Sequence, residues 1–247
     1  MKIRIKFRKY GVMKFIGHLD IMRYFQKAIK RADIAICYTG GFSPHMIMSF
    51  ASPLGVGITS DGEYLDIEVE SALSSADGVR RLNEVMVDGM EVVSFRQIPE
   101  EKSQNAMSLV AAADYEICFR PGKEPIFTGT DSLTKASDIS AWQEAFQAFL
   151  SQPEITILKK SKKSEREMDI RPFIYEAAVE DDRIFLRLSA GSVTNIKPEL
   201  VLEAFYQYLG LAFDEFALLV HRKELYAEKT KKGKRTFISL ENLGTEF

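Results

Sequence analysis

The sequence predicts an α+β protein built from two tandem ferredoxin-like (βαββαβ) units. Three observations lead there. Residues 3–8 alternate apolar and basic side chains with the period of a strand, and residues 17–33 carry apolar side chains at helical spacing. The order of such segments in the first half then recurs in the second, without evident sequence identity between the halves.

In the first half, Ile3, Ile5 and Phe7 alternate with Arg4, Lys6 and Arg8, as a half-buried strand requires. GHLDIMRYFQKAIKRAD follows, with Ile21, Met22, Phe25, Ala28, Ile29 and Ala32 on one helical face. Asp20 falls in the first turn, where a carboxylate favours the positive end of the helix dipole. The opposite stripe is Asp20, Arg23, Lys27, Lys30 and Arg31. After the short apolar segment IAICY and the loop TGGFSPHMIMSF, EYLDIEVE alternates as a strand. SSADGVRRLNEVM opens on capping serines and continues as an amphipathic helix, and MEVVSFRQI closes the unit as a strand. Residues 1–98 therefore form a first unit, and the polar stretch PEEKSQNAMS at 99–108 reads as a linker.

Residues 109–247 form the second unit with a basic tail. LVAAADYEICFRP is a strand, and DISAWQEAFQAFLSQ is a helix that places Ile139, Trp142, Phe146 and Phe149 on one face. EITILKK, DIRPFIYEAAV and RIFLRLSA are strand-like, the last two joined by the tight turn EDD. KPELVLEAFYQYLG is a helix with Pro198 in its first turn and Gly210 after its end. EFALLVHRKELYAE supplies the last strand.

Hydrophobic residues at 46% and charged residues at 28% are ordinary for a chain that buries a core. No apolar run is long enough to span a membrane, and MKIRIKFRKYG lacks the apolar block of a signal peptide. The expectation is a cytoplasmic protein. Cys37 and Cys118 are too few for a disulfide framework, a zinc site or an iron–sulfur cluster, and read as small buried hydrophobes. The net charge of −2 conceals a separation of signs: residues 1–31 carry ten Lys and Arg against the single acid Asp20, whereas Asp61, Glu63, Asp66, Glu68 and Glu70 lead an acidic segment. Two more basic clusters stand at 159–166 (KKSKKSER) and 229–235 (KTKKGKR). Such separation fits a basic face for an anionic partner; matched neighbours across a strand pair are the alternative.

KFRKYGVMKFIGHLDIMRYFQKAIKRADI, YTGGFSPHMIMSFASPLGVGITSDGEYLDIE, EREMDIRPFI and HRKELY together resemble a bacterial family, the radical-SAM-linked or radical-SAM-associated proteins. The resemblance is strongest over residues 3–70 and extends to about 225. It implies an accessory role beside a B12-binding radical SAM protein. The iron–sulfur cluster and S-adenosylmethionine would belong to that partner, and no cofactor to this chain.

The site residues follow from chemistry. His18 opens the basic helix, where backbone N–H groups and the dipole favour an anion; capping or packing at the corner is the other reading. Lys14, Arg23, Lys27 and Arg31 extend such an anion site, or form a solvated face. His45 sits in a loop stiffened by Gly40, Gly41 and Pro44, and the imidazole side chain is the type suited to proton transfer or phosphate contact; a satisfied histidine of a structural turn is the other reading. Gly41 and Phe42 belong to that loop, Phe42 offering a face for a base or for the core. Glu167, Asp169 and Arg171 alternate on a predicted strand, Asp169 as partner to an acid–base histidine and Arg171 as a ligand contact; an Asp169–Arg171 ion pair that orders the site, or a simple surface ladder, are the other readings. His221 and Arg222 project to opposite faces of the last strand. No metal-ligand spacing, GxGxxG or GxxxxGK[ST] motif is present. Three functions stand open: an accessory protein that binds RNA or presents an anionic substrate, an RNA-processing enzyme using His18 and His45, and a protein-docking domain without nucleic acid.

Overall fold

The computed structural model describes residues 1–71, 73–101, 104–123, 127–129, 132–134, 139–160, 165–181, 183–231 and 233–247. The side chains of Ile139, of Trp142 and of the basic cluster at 159–166 lie outside what the structure describes, as do residues 161–164 altogether. In chain order the elements are β1 (Lys2–Lys9), α1 (His18–Arg31), β2 (Met48–Phe50), β3 (Thr59–Glu68), α2 (Ser75–Asn83), β4 (Met90–Ile98), α3 (Ala106–Leu109), β5 (Val110–Phe119), β6 (Phe127–Gly129) and β7 (Ser132–Thr134). They continue with α4 (Ile139–Leu150), β8 (Thr156–Lys160), β9 (Glu165–Asp169), β10 (Ile174–Glu180), β11 (Arg183–Ser189), α5 (Pro198–Tyr208), β12 (Leu218–Lys231) and β13 (Lys234–Ser239). The protein is mixed α+β, with a large, mostly antiparallel sheet and few helices.

The chain forms two compact units, and it passes between them repeatedly. One holds residues 1–113, 190–193 and 221–247; the other holds 114–189 and 194–220. A single cut near 99–108, as the sequence suggests, does not separate these two units.

In the first unit β1 lies between β3 and β4, antiparallel to both, and β2 adds to β3. The C-terminal hairpin of β12 and β13 joins through a short parallel pairing, His221 opposite Thr59 and Arg222 opposite Ser60. The stretch expected as a basic tail is therefore partly strand. Strand β1 turns Ile3, Ile5 and Phe7 into the core, where α1 meets them with Ile21, Phe25, Ala28 and Ile29. Phe7 and Phe25 pack with ring centroids 4.7 Å apart. Each such ring taken out of water contributes about 2–3 kcal/mol. Helix α2 starts where the serines predict: the Ser74 hydroxyl accepts the Asp77 N–H at 3.2 Å.

The polar face of β1 is not a free basic surface. Arg4 is 1% exposed and makes a two-point bond to Asp66, Nε to Oδ1 at 2.8 Å and Nη2 to Oδ2 at 2.9 Å. Arg4 also donates to the Gln104 and Leu240 carbonyls, while Asp66 Oδ2 accepts the Ala106 N–H at 2.7 Å. Residues 104–106, read as linker, are thus stapled to the sheet. Lys6 bridges Glu224 and Glu241 at 2.8 and 3.0 Å. Much of the separation of signs is matched charge across neighbouring strands.

In the second unit β11 pairs antiparallel with β10 and neighbours β5. Phe146 and Phe149 of α4 meet Phe205 of α5 at 5.0 and 5.3 Å. Just after β10, Asp181 takes φ 53, a conformation that Asp tolerates better than most residues. Gly210 takes φ 70 just beyond α5, as its position after the helix predicts. Strand β9 stops at Asp169, and Arg171 begins a 3₁₀ turn, so the expected alternation of Glu167, Asp169 and Arg171 along one strand does not continue.

Candidate functional site

In the first unit, side chains from β1, α1, β2, the segment after β2, and β3 line a small open cleft with about 10 Å³ of room, enough for about one water-sized group. Phe7, Ile21, Phe50 and Leu54 give it apolar walls, and Lys9, His18, Ser52 and Glu63 supply the polar groups. Lys9 is there because it continues the odd-numbered, core-facing phase of β1, two residues after Phe7. Its side chain is 2% exposed, and Nζ donates to the Ile16 carbonyl at 2.8 Å. His18 is there because the 3₁₀ turn at Gly11–Phe15 brings the chain around from β1 to Gly17, the N-cap of α1. Gly17 provides no capping side chain. The His18 ring stands edge-on to Phe50, centroids 5.1 Å apart and planes at 82°.

Glu63 is buried as well, and Arg222 grips it from β12, Nε to Oε1 at 2.8 Å and Nη2 to Oε2 at 2.5 Å. Arg222 Nη2 also donates to the Ser52 carbonyl at 3.2 Å. Burial pushes the Lys9 ammonium below its ordinary value of 10.5; Glu63 opposes this and Arg222 adds to it. His221, next along β12, points elsewhere. Its Nδ1 lies 2.8 Å from Thr59 Oγ1 and its Nε2 3.1 Å from Asp61 Oδ2.

The other sequence-derived site residues spread out from this cleft. His45 is exposed and serves its own loop: its N–H donates to Thr39 Oγ1 at 3.1 Å, and its Nδ1 lies 3.1 Å from the same atom. The Thr39 N–H closes the loop on the His45 carbonyl at 2.9 Å. Gly41 in that loop takes φ 99, the conformation for which glycine was expected. The two phenylalanines part ways: Phe50 is core, whereas Phe42 is fully exposed. His45 is not among the residues lining the His18 cleft.

Lys14 places Nζ 5.2 Å from the ring of exposed Phe15. Arg23 pairs with Asp20 at 3.2 Å, while Lys27, Lys30 and Arg31 are exposed and make no ion pair among the described residues. Asp169 and Arg171 belong to the second unit and hold backbone there. Asp169 Oδ1 accepts the N–H groups of Ile155 and Arg171, both at 2.9 Å. Arg171 donates to the Leu150 carbonyl at 2.7 Å and the Ile174 carbonyl at 3.4 Å. Cys37 and Cys118 are half-buried rather than enclosed.

Sequence reasoning missed Lys9, Ser52 and Glu63 as cleft residues. One signal was present: in the series Ile3, Ile5, Phe7, Lys9, a lysine occupies the phase that faces the core. Among the described residues no three of His, Cys, Asp and Glu gather as a metal site requires, and no helix is long and apolar enough to cross a membrane.

Comparison with curated proteins finds no match. Among solved structures, the chain is similar to one described as "Crystal Structure of a Cbf5-Nop10-Gar1 Complex", at 10% identity and a TM-score of 0.44. That alignment covers 90% of this chain and 48% of the other, so the chain spans about half the length of the structure it matches. Residues 2–198 match the family described as "Uncharacterized protein conserved in bacteria (DUF2344)", and the chain belongs to that family.

Proposed function

We propose that this protein is an accessory of a B12-binding radical SAM protein and binds RNA on its behalf, the partner carrying the iron–sulfur cluster and S-adenosylmethionine. The observation that carries the RNA reading is the presence, in one unit, of exposed aromatic rings and unpaired cations. Phe42 and Phe15 are exposed, Lys14 lies over Phe15, and Lys27, Lys30 and Arg31 form an exposed stripe without carboxylate partners among the described residues. Aromatic faces stack bases and cations neutralise phosphates, which is how single strands are held without a sequence code. The FIGHLD and GFSPHMIMSF segments support the radical SAM partner through the family resemblance.

The strand orders fit the finer fold reading of two ferredoxin-like units. In the first half β4, β1, β3 and β2 are successive neighbours; in the second the order is β10, β11, β5 and β12.

The test is retention of single-stranded RNA by the full chain at two salt concentrations. Binding through several phosphate contacts falls by orders of magnitude over a few-fold rise in salt. Retention no better than that of a neutral control protein at low salt rejects the reading. A second reading, docking of the partner without nucleic acid, is favoured by exposed Val12, Phe15 and Leu19. Co-purification that survives nuclease treatment, with no RNA retained, decides for it.

A further inference from the structure

We propose that the first unit holds a binding site for a free α-amino acid with an apolar side chain, on the face of its sheet turned away from α1. The proposal goes beyond the RNA and radical SAM readings and depends on neither. The site is a cleft of about 250 Å³ with Ile47, Met48 and Ile98 in its apolar lining.

Strand register builds it. Ile3 and Ile5 face the core, so Lys2 and Arg4 take the opposite face of β1. There Lys2 stands opposite Glu68 of β3 on one side and Ile98 of β4 on the other. In the next row Arg4 stands opposite Asp66, which in turn stands opposite Ser49 of β2. The Arg4 row is closed by its two-point bond to Asp66. The Lys2 row is open. Lys2 and Glu68 are directly opposed and of opposite sign, an arrangement that ordinarily forms a stabilising pair across an antiparallel ladder. Yet Lys2 Nζ donates to the Glu100 carbonyl at 2.6 Å, and among the described residues no cation or N–H donor meets the Glu68 carboxylate.

The remaining polar groups of the lining are held in place and have capacity to spare. The residues flanking Asn105 are tied to the sheet: Arg4 donates to the Gln104 carbonyl and the Ala106 N–H donates to Asp66, both at 2.7 Å. Asn105 Oδ1 accepts the Met107 N–H at 3.0 Å, which leaves its side-chain NH₂ for a ligand. Lys2 uses one of three N–H donors on Glu100. The Ser49 hydroxyl has no partner among the described residues.

A cation and an anion that do not close on each other, beside an apolar wall, match one compact chemistry. The ligand's ammonium meets Glu68 and Ser49, its carboxylate meets Lys2 and Asn105, and its side chain covers Ile47, Met48 and Ile98. A simple anion would be opposed by Glu68 and a simple amine by Lys2, whereas a zwitterion answers both. At about 250 Å³ the cleft lies just under the range of about 300–1,000 Å³ of pockets for drug-sized molecules, so it suits a ligand of amino-acid size.

The experiment titrates L-leucine, L-methionine and L-phenylalanine separately into the full chain at low salt, by calorimetry and by thermal midpoint. The expected result is saturable binding of at least one of them, with a raised midpoint. For the amino acid that binds, the amide, which lacks the carboxylate, and the N-acetyl derivative, which lacks the ammonium, should each bind about tenfold more weakly, as the loss of one charge-assisted bond predicts. Glycine, without a side chain to cover the apolar wall, should also bind more weakly. Glu68→Gln should weaken binding about tenfold with the ligand-free midpoint unchanged, since Glu68 is half-buried and makes no side-chain bond among the described residues. Should that variant lose stability, Lys2→Met, at the other pole of the site, should weaken binding by a similar factor. No saturation in the millimolar range by any of the three amino acids overturns the proposal. So does an N-acetyl derivative that binds as tightly as its parent, or an affinity unchanged in both variants.

Discussion

Arg222 holds both carboxylate oxygens of Glu63, across 159 residues of chain, with each side chain almost wholly buried. Removing one member leaves a buried charge without its counterion. Arg222→Met or Glu63→Gln should each lower stability by about 3–5 kcal/mol. Replacing both with apolar residues of similar volume should cost much less than the sum of the two. Urea unfolding of the two single variants and the double variant measures this; equal, additive losses would show that the pair is not coupled.

Gly78 sits inside α2, where alanine would ordinarily be preferred by about 1 kcal/mol. A Cβ at this position would come within 2.6 Å of Phe95 Cγ and 2.7 Å of its Cδ1, in the packed core of the first unit. Overpacking of that kind costs about 1–3 kcal/mol and exceeds the gain in propensity. Gly78→Ala should therefore destabilise, with a lower thermal midpoint. A gain in stability would mean that Phe95 can step aside.

Lys6 joins Glu224 and Glu241 beneath the C-terminal hairpin. Burial alone pushes the Glu241 carboxyl up, but the Lys6 hydrogen bond and charge, with Arg96 behind, hold it below its ordinary 4.5. A depressed carboxyl stabilises the fold fully above 4.5, and that contribution is lost as pH falls through the lower folded value. Stability should thus fall on acidification below 4.5, and Glu241→Gln should flatten that part of the curve. Lys6 has the opposite sense. Burial lowers it, yet Glu224 and Glu241 together raise it above 10.5, so its contribution persists below 10.5 and fades only at higher pH. Urea midpoints across the acid range, compared between parent and variant, provide the check.

Phe42 stands free of the core at the head of a loop whose closure depends on Thr39 and His45. Phe42→Ser should leave the thermal midpoint unchanged while RNA affinity falls by about 1–3 kcal/mol, the cost of one lost base stack. A drop in midpoint would show that the ring packs in solution. Unchanged RNA affinity would remove Phe42 from the binding face.

Periodicity made the local elements legible. The alternation at Ile3, Ile5 and Phe7, the apolar face from Ile21 to Ile29, the Ser74 cap and the glycines at 41 and 210 all stand where the sequence places them. Each depends on side chains only a few residues apart, so the chain itself carries the information. The partners of Arg4, Lys6 and Arg222 were not legible, because they lie 62 to 236 residues away in sequence. A basic strand reads the same whether it faces solvent, RNA or a buried carboxylate. The register of β3 and β12 against their neighbours made that choice, turning much of an apparent basic face into ion pairs. The cleft has the same origin: Lys9 announced itself only as a lysine out of phase, and His18, Ser52 and Glu63 became its neighbours when β1, α1, β2 and β3 packed together. Local period set the elements; long-range pairing, driven by burial of both apolar faces and matched charges, decided which residues meet.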